Sequence, residues 1–333
     1  MASPRTKALM VGATLLGGLL AGMSANKVLV ELPAWQAVGV VQWALFTRAS
    51  DQGVGLILFP VIGGGALILS VAAAVSFRSD RFARRSGAWA VYLAPFLAII
   101  ALAVTILLLA PPRLSVLQAG DDATVLQPIA ASVARWWDVK AFLHVLAFLA
   151  NLWALASVLV AVGKTAPATR NLLVVAILIG GLLAGFNLDR SLVHNPAWRE
   201  LGAQAWAAYS LHADLSYRAA ALYPFLGIGE ALVSVAAAIS FWRSGGRSRP
   251  AALPVHGGAL FAVSGLLMTL LAAPNMLSIP RLANDPAGLA NALAGFIFWG
   301  DIRGALQILA FFVNLWSLIA VTSGARREGQ GRP

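Results

Sequence analysis

The chain contains no cysteine and few charged side chains. It therefore has no disulfide, no thiolate nucleophile and no cysteine ligand for a metal or cluster. Only 11% of its 333 residues are charged, whereas 59% are hydrophobic, and the mean hydropathy is +0.80. A water-soluble core of this length would not bury so much apolar surface. The composition predicts an integral membrane protein, with the lipid bilayer as its main partner.

Apolar stretches recur along the chain, each long enough to cross about 30 Å of hydrocarbon as a helix of roughly 20 residues. They lack the alternation of apolar and polar residues that is typical of membrane strands. We therefore expect an all-α polytopic membrane protein with eight transmembrane helices. The predicted spans are residues 8–26, 54–77, 88–110, 139–163, 171–188, 218–241, 253–273 and 302–322.

The second half of the chain resembles the first at an offset of 163 residues (196 − 33), which becomes 164 over the second span after a one-residue insertion. Such self-similarity indicates a tandem duplication, and we expect two four-helix bundle repeats, at residues 1–165 and 166–333. Because each repeat has an even number of spans, the repeats should be parallel, related by a pseudo-two-fold axis along the membrane normal. The matched positions include Gly22 with Gly185, Pro33 with Pro196, Trp35 with Trp198, Trp43 with Trp206 and Asn151 with Asn314.

Glycines one helical turn apart occur in the first span of each half, at Gly18 and Gly22 and at Gly181 and Gly185. Small residues at this spacing let two helices approach closely in lipid. We interpret both pairs as packing positions. The segments 33–48 and 196–211 that follow are interpreted as interfacial helices with aromatic anchors, and a substrate-binding aromatic lid is the alternative.

The basic residues divide unevenly between the two sides of the membrane. With a cytoplasmic N-terminus, the inside segments hold fourteen basic and two acidic residues, whereas the outside charges cancel. This bias predicts a bacterial-type inner (plasma) membrane protein with both chain ends in the cytoplasm. Its spread over five segments favours lipid headgroups and excludes a nucleic-acid partner. The inside basic residues are Arg5, Lys7, Arg78, Arg81, Arg84, Arg85, Lys164, Arg170, Arg243, Arg247, Arg249, Arg326, Arg327 and Arg332.

Charged residues that occur in both halves are candidate catalytic residues. Asp138 and Asp301 begin the fourth and eighth spans, and Lys140 and Arg303 follow two positions later. Aspartate is also a good helix N-cap, so local capping is the alternative. A further hypothesis is that the halves exchange charges, with Asp138 pairing with Arg303 and Asp301 with Lys140.

Polar and aromatic residues shared by the halves are candidate ligand-binding residues. Asn151 and Asn314 fall within spans, where an amide normally bonds a neighbouring helix, so a ligand contact is the second choice. The full candidate set is Asn151, Asn314, Trp136, Trp299, Asp51 and Asp214.

Two ionisable residues inside the spans occur in one half only. Glu230 stands where the first half has Ala66, and His144 stands where the second half has Gln307. Ionisable side chains in the membrane are functional suspects by default, and hydrogen bonding within the bundle is the alternative. We add Glu230 and His144 to the candidate catalytic residues, as proton carriers.

An outer segment of the second half contains His194, His212 and Asp214. Two imidazoles and a carboxylate are suitable ligands for a transition metal. Their spacing matches no recognised ligand motif, so solvated surface histidines are the alternative. No other cofactor is predicted.

A cluster of tryptophan, acidic and basic residues opens the last span of each half. It reads Trp136-Trp137-Asp138-Val139-Lys140 in the first half and Trp299-Gly300-Asp301-Ile302-Arg303 in the second. With a glycine-rich first span and a long first outer loop, each half resembles the anthrone oxygenase-like family of four-helix membrane proteins. That family typically has Trp-x-x-Trp-Asn-x-x-Arg at this place. The resemblance implies oxygenation of polyphenolic anthrones without metal or flavin.

Three functions stay open from the sequence, and it does not decide whether the chain is an enzyme. The first is an oxidoreductase or oxygenase acting on a lipophilic aromatic or quinone-like small molecule. The second is a transporter or lipid-handling protein with a pathway between the repeats, for which Glu230 is the main clue. The third is a non-catalytic subunit that binds a partner in a membrane complex.

Overall fold

The computed structural model describes residues 3–80, 89–160, 166–245 and 249–324. All regular secondary structure in these ranges is helical, and eight helical segments are long and apolar enough to cross a membrane. The predicted all-α polytopic membrane protein is confirmed. Outside the described residues lie the repeat boundary at 165, the side chains of Asp51 and Arg249, and the basic residues Arg81, Arg84, Arg85, Lys164, Arg247, Arg326, Arg327 and Arg332.

The order of the described helices is similar in the two halves of the chain, with seven α-helices in the first and six in the second. The helices of the first half are α1 (Pro4–Asn26), α2 (Leu32–Val38), α3 (Val40–Gln52), α4 (Gly55–Ser79), α5 (Trp89–Val104), α6 (Ala110–Gln118) and α7 (Ala123–Val160). Those of the second half are α8 (Pro167–Asp189), α9 (Asn195–Leu201), α10 (Ala203–His212), α11 (Tyr217–Arg243), α12 (Arg249–Leu277) and α13 (Pro286–Gly324). Short π-helical segments cover Lys27–Glu31, Thr105–Leu109 and Arg190–His194, and a 3-10 turn covers Ile279–Arg281.

Local sequence signals set several of these helix ends. The Ser3 hydroxyl caps α1 by accepting a hydrogen bond from the Thr6 backbone N–H at 3.1 Å, and Ser216 caps α11 in the same way. Between α2 and α3, Gly39 has φ of +113°, and between α9 and α10, Gly202 has φ of +90°. Only glycine adopts such conformations readily, so these two turns depend on it.

The first helices of the two halves, α1 and α8, pack directly against each other at the centre of the molecule. Gly22 and Gly185 face each other there. A β-carbon added to Gly22 would overlap the carbonyl oxygen of Leu182, and one added to Gly185 would overlap that of Leu19. The interpretation of these glycines as packing positions is confirmed.

The mid-span asparagines bond a neighbouring helix in each half. Asn151 on α7 donates from Nδ2 to the Ser70 hydroxyl on α4 at 3.2 Å. Asn314 on α13 donates from Nδ2 to the Ser234 hydroxyl on α11 at 3.0 Å. The expected interhelical role is confirmed for both. Superposition of the two halves as parallel repeats stays a prediction.

Large apolar side chains cover the outside of the spans. Leu56, Ile57 and Leu270 are each about two-thirds or more exposed, at 68%, 69% and 71%. Leucine and isoleucine at such exposure are stable when lipid surrounds them, because acyl chains are as apolar as they are. The outer surface therefore agrees with the membrane assignment.

The glycine contact between α1 and α8 gives a stability prediction. Gly22→Ala and Gly185→Ala should each destabilise the protein by about 1–3 kcal/mol, because the added methyl group meets backbone that must move apart. Thermal unfolding in lipid nanodiscs measures the loss. Gly300→Ala is the matched control, since no atom lies within 4 Å of its β-carbon position. Equal melting temperatures for all three variants would contradict the close contact.

Candidate functional site

A cavity of about 380 Å³ lies inside the first half of the protein, enclosed by α1, α4, α5 and α7. Trp137 and Asn151 mark its two ends along α7. They are fourteen residues apart, which corresponds to roughly 21 Å of helix. Bundle cores built from facing helices are common ligand sites. The polar and aromatic lining comprises Ser24, Lys27, Phe59, Ser70, Thr105, Arg113, Trp137, Lys140, His144 and Asn151.

Three basic side chains surround the buried indole of Trp137 at one end of the cavity. The Lys140 ammonium lies 4.4 Å from the ring centroid, the Arg113 guanidinium 5.4 Å and the Lys27 ammonium 5.9 Å. The indole face stabilises cations at these distances. Lys27 also bonds Glu31, outside the cavity, at 2.7 Å, and no carboxylate belongs to the lining itself among the described residues. This end of the cavity is therefore suited to an anion.

The rest of the cavity is mainly apolar, with two satisfied polar pairs. The Nδ1 atom of His144 shares a 2.7 Å hydrogen bond with the Ser24 hydroxyl, and Asn151 is bonded to Ser70. Leucine, isoleucine and phenylalanine side chains form much of the remaining wall. The cavity is thus cationic at one end and apolar along its length, as an amphiphile would require.

The equivalent positions of the second half carry different chemistry. Glu230 replaces Ala66, Gln307 replaces His144 and Gly300 replaces Trp137. The Glu230 carboxyl is buried, and its Oε1 atom has no hydrogen-bond partner. Gln307 accepts a 2.7 Å hydrogen bond from Asn187. The second half keeps basic residues at two of the three positions, with Arg190 for Lys27 and Arg303 for Lys140, but it lacks the indole of Trp137.

A second group of ionisable side chains lies where the two halves meet. Nε2 of His194 is 3.3 Å from Oε1 of Glu31 and 3.4 Å from Oδ2 of Asp189, and all three residues are buried. Lys27 contacts the other oxygen of Glu31 at 2.7 Å, and Asn26 donates to Oε1 at 3.0 Å. We call Glu31, Asp189 and His194 the central triad.

Four aromatic rings pack together beside the central triad, two from each half. Trp35 and Trp198 stack with centroids 6.0 Å apart, and Phe46 and Tyr209 fill the space around them. The edge of Phe46 meets His194 at 5.0 Å. Burial raises the pKa of the Tyr209 hydroxyl well above its ordinary value. Trp35 and Trp198 are core residues, so the structure does not support their interpretation as interfacial anchors.

The predicted charged residues at the start of the last spans are dispersed. Asp138 is exposed and lines an open groove between the halves together with Arg218. It forms no ion pair with Arg303 within the described residues. Asp301 accepts a 2.8 Å hydrogen bond from Asn195. Of the catalytic candidates, Lys140 and His144 share the cavity, and Asp138, Asp301, Arg303 and Glu230 are outside its lining.

The predicted ligand-binding and metal residues also occupy separate places. Trp136 and Trp299 are half-buried and outside the cavity lining. His212 is exposed, whereas His194 belongs to the central triad. Asp214 is bound by Arg190 at 2.5 Å and by Ser210 at 3.0 Å. Among the described residues, only Glu31, Asp189 and His194 bring three potential metal-ligand atoms within 4.8 Å of one another.

Sequence reasoning did not connect Lys27, Arg113 and Trp137 with the cavity, or Glu31 and Asp189 with His194. One signal was present for the triad. Glu31 and His194 occupy equivalent positions 163 residues apart, and so do Asn26 and Asp189. Because α1 and α8 are in contact, equivalent residues at and just beyond their ends can lie close together.

Comparison with known proteins found no matching family model, no matching curated protein and no matching solved structure. The resemblance to the anthrone oxygenase-like family therefore stays a prediction. The functional argument depends on the chemistry of the cavity and of the central triad.

The buried ion pair beside the central triad gives a second stability prediction. Arg190 donates to Asp214 and to the Tyr223 hydroxyl. Arg190→Met should destabilise the protein by about 3–5 kcal/mol, because it leaves the Asp214 carboxylate buried without its cation. Adding Asp214→Asn should recover part of that loss. Unfolding measurements on both variants test this, and a double variant less stable than Arg190→Met would contradict it.

Proposed function

We propose that the protein is a lipid-handling membrane protein that binds a lipophilic acid in the cavity of its first half. The observation that carries this proposal is the convergence of Lys27, Arg113 and Lys140 on Trp137 at one end of an otherwise apolar cavity. The ligand class is an amphiphile with a carboxylate or phosphate head and a hydrocarbon tail.

The acidic head supplies the selectivity in this proposal. An apolar tail gains little by moving from acyl chains to a cavity wall, because both are hydrocarbon. A carboxylate or phosphate gains charge-assisted hydrogen bonds from lysine and arginine, and the low dielectric of the membrane strengthens them. We therefore expect anionic amphiphiles to bind much more tightly than neutral ones of equal length.

The second half is unsuited to the same ligand. Glu230 places a carboxyl group where the first half has Ala66, and this group would disfavour an acidic ligand. The ligand is therefore proposed to bind inside the first half alone. This differs from the pathway between the halves that the sequence favoured for a transporter.

A second candidate function is oxygenation of a phenolic aromatic compound in the same cavity. It is favoured by the presence of Lys140 and His144 together in the lining. A base such as His144 would accept the phenolic proton, and the nearby cations would stabilise the phenolate that forms. The face of the Trp137 ring would stack on the aromatic ring of the substrate. Dioxygen uptake on addition of an anthrone, lost in His144→Leu, would support this candidate over simple binding.

We further propose that the protein resides in a bacterial-type inner membrane with both chain ends in the cytoplasm. The charge bias of the inside segments supports this orientation. With this topology the cationic end of the cavity lies toward the outer leaflet, because Lys27 follows the last turn of α1. The ligand head would then sit near the outer face.

The binding proposal is tested with hexadecanoate as the probe and hexadecanol as its neutral control, on the full chain in nanodiscs. Wild-type protein should bind hexadecanoate at least tenfold more tightly than hexadecanol. Lys140→Gln and Ala66→Glu should each weaken hexadecanoate binding tenfold or more, since one removes a cation and the other adds the carboxylate of the second half. Arg135→Gln, which removes an exposed charge from the same helix, should have no effect. Equal binding of acid and alcohol would refute the proposal.

Reporter fusions test the orientation. Green fluorescent protein fused after the C-terminus should fluoresce in bacterial cells, because it folds only in the cytoplasm. Alkaline phosphatase fused in the segment 119–122, between α6 and α7, should be active, because it requires the periplasm. The opposite pattern would place the cationic end of the cavity on the cytoplasmic side.

A further inference from the structure

We propose that the central triad, Glu31, Asp189 and His194, binds one divalent transition-metal ion between the two halves of the protein. The ligands are one imidazole nitrogen and two carboxylate oxygens, a set that suits Zn²⁺ and related first-row ions. One ligand comes from the first half and two come from the second. None of the three ligands lines the lipid cavity, although Lys27 belongs to its lining and bonds Glu31, and the proposal does not depend on lipid binding.

The spacing of the ligand atoms fits a metal ion. Ligand atoms about 2.0 Å from a tetrahedral ion are about 3.3 Å apart. Nε2 of His194 lies 3.3 Å from a Glu31 oxygen and 3.4 Å from an Asp189 oxygen. Three protein ligands leave a fourth position for water or another small molecule, as in open zinc sites.

The potential ligand atoms of Asp189 and His194 lack ordinary partners, whereas the facing oxygen of Glu31 accepts one hydrogen bond from Asn26. Neither oxygen of Asp189 accepts a hydrogen bond, and Nε2 of His194 makes none. Asp189 and Glu31 are fully buried, and His194 is 4% exposed. A buried carboxylate without a donor is costly. A divalent ion would satisfy Asp189, His194 and the facing oxygen of Glu31 together.

The surroundings resemble the outer shell of a metal site. The second oxygen of Glu31 is held by Lys27 at 2.7 Å, and Asn26 donates to the oxygen that faces His194. Such contacts fix the orientation of a ligating carboxylate. Glu31 and His194 also end the two π-helical segments Lys27–Glu31 and Arg190–His194, and π-bulges occur frequently at functional sites.

A protonated His194 that bridges the two carboxylates is the competing arrangement. It would need no metal, and it would rely on the 3.3 Å and 3.4 Å contacts as ion pairs. Those contacts do not have hydrogen-bond geometry at Nε2, which is why the metal-bound arrangement explains the atoms better. Metal titration separates the two arrangements.

The experiment uses the full chain, purified in detergent, stripped with a chelator and titrated with Zn²⁺ or Co²⁺ alone. We expect one ion per chain, retained after gel filtration and counted by mass spectrometry of the metal. The Co²⁺ form should show visible absorption bands of a site with nitrogen and oxygen ligands. Absence of stoichiometric binding by the wild-type protein would overturn the proposal, whatever the variants do.

Three variants assign the ligands. Asp189→Asn, which gives the second half the residue found at Asn26, and His194→Gln should each weaken Zn²⁺ binding at least tenfold. Both should elute as monodisperse protein, which separates loss of a ligand from loss of fold. His256→Gln, an exposed histidine on α12, should bind as the wild type does. Unchanged affinity in Asp189→Asn and His194→Gln would show that the metal is held elsewhere.

Discussion

The structure depends on the contact between α1 and α8, whose backbones touch at one point along their length. Gly22 and Gly185 provide the close approach, because a β-carbon at either position would overlap opposing backbone. In lipid there is little hydrophobic drive to join helices, so this packing contributes much of the association. In each half the first helix also contacts two further spans, α4 and α7 or α11 and α13, and the remaining span, α5 or α12, packs on those two.

The contact also explains why ionisable side chains lie close together where the two apolar halves meet. Residues that follow Gly22 and Gly185 along the chain are brought together there. Glu31 reaches His194 from the opposite half, while the aromatic rings of Trp35 and Trp198 stack beside them. Two of the buried carboxylates there have a cation beside them, since Lys27 pairs with Glu31 and Arg190 with Asp214.

The two halves share the residues that pack their helices together and differ at ionisable and polar residues that could contact a ligand. The glycine contact, the asparagine-to-serine bonds and the positive-φ glycines occur in both. The differences lie at positions that line the cavity of the first half or belong to the central triad, where a changed side chain alters the chemistry and leaves the shared packing contacts in place. These differing pairs are Ala66 and Glu230, His144 and Gln307, Trp137 and Gly300, Asn26 and Asp189, and Glu31 and His194.

The eight spans, the glycine packing and the bonds of Asn151 and Asn314 were predictable because they follow from composition, periodicity and the cost of an unpaired amide in lipid. The cavity and the central triad were not, because they depend on how helices rotate about their axes. Arg113 lies in a segment that the sequence assigned to an outer loop, and it points toward Trp137. His194 was grouped with His212, yet its π-helical segment turns it toward Glu31.

The most direct test of the central contact is a double-mutant cycle on unfolding free energy with Glu31→Gln and His194→Gln. These residues belong to different halves, so energetic coupling requires that α1 and α8 meet as described. The structure predicts a coupling energy above about 1 kcal/mol. Effects that add within about 0.5 kcal/mol would contradict the account.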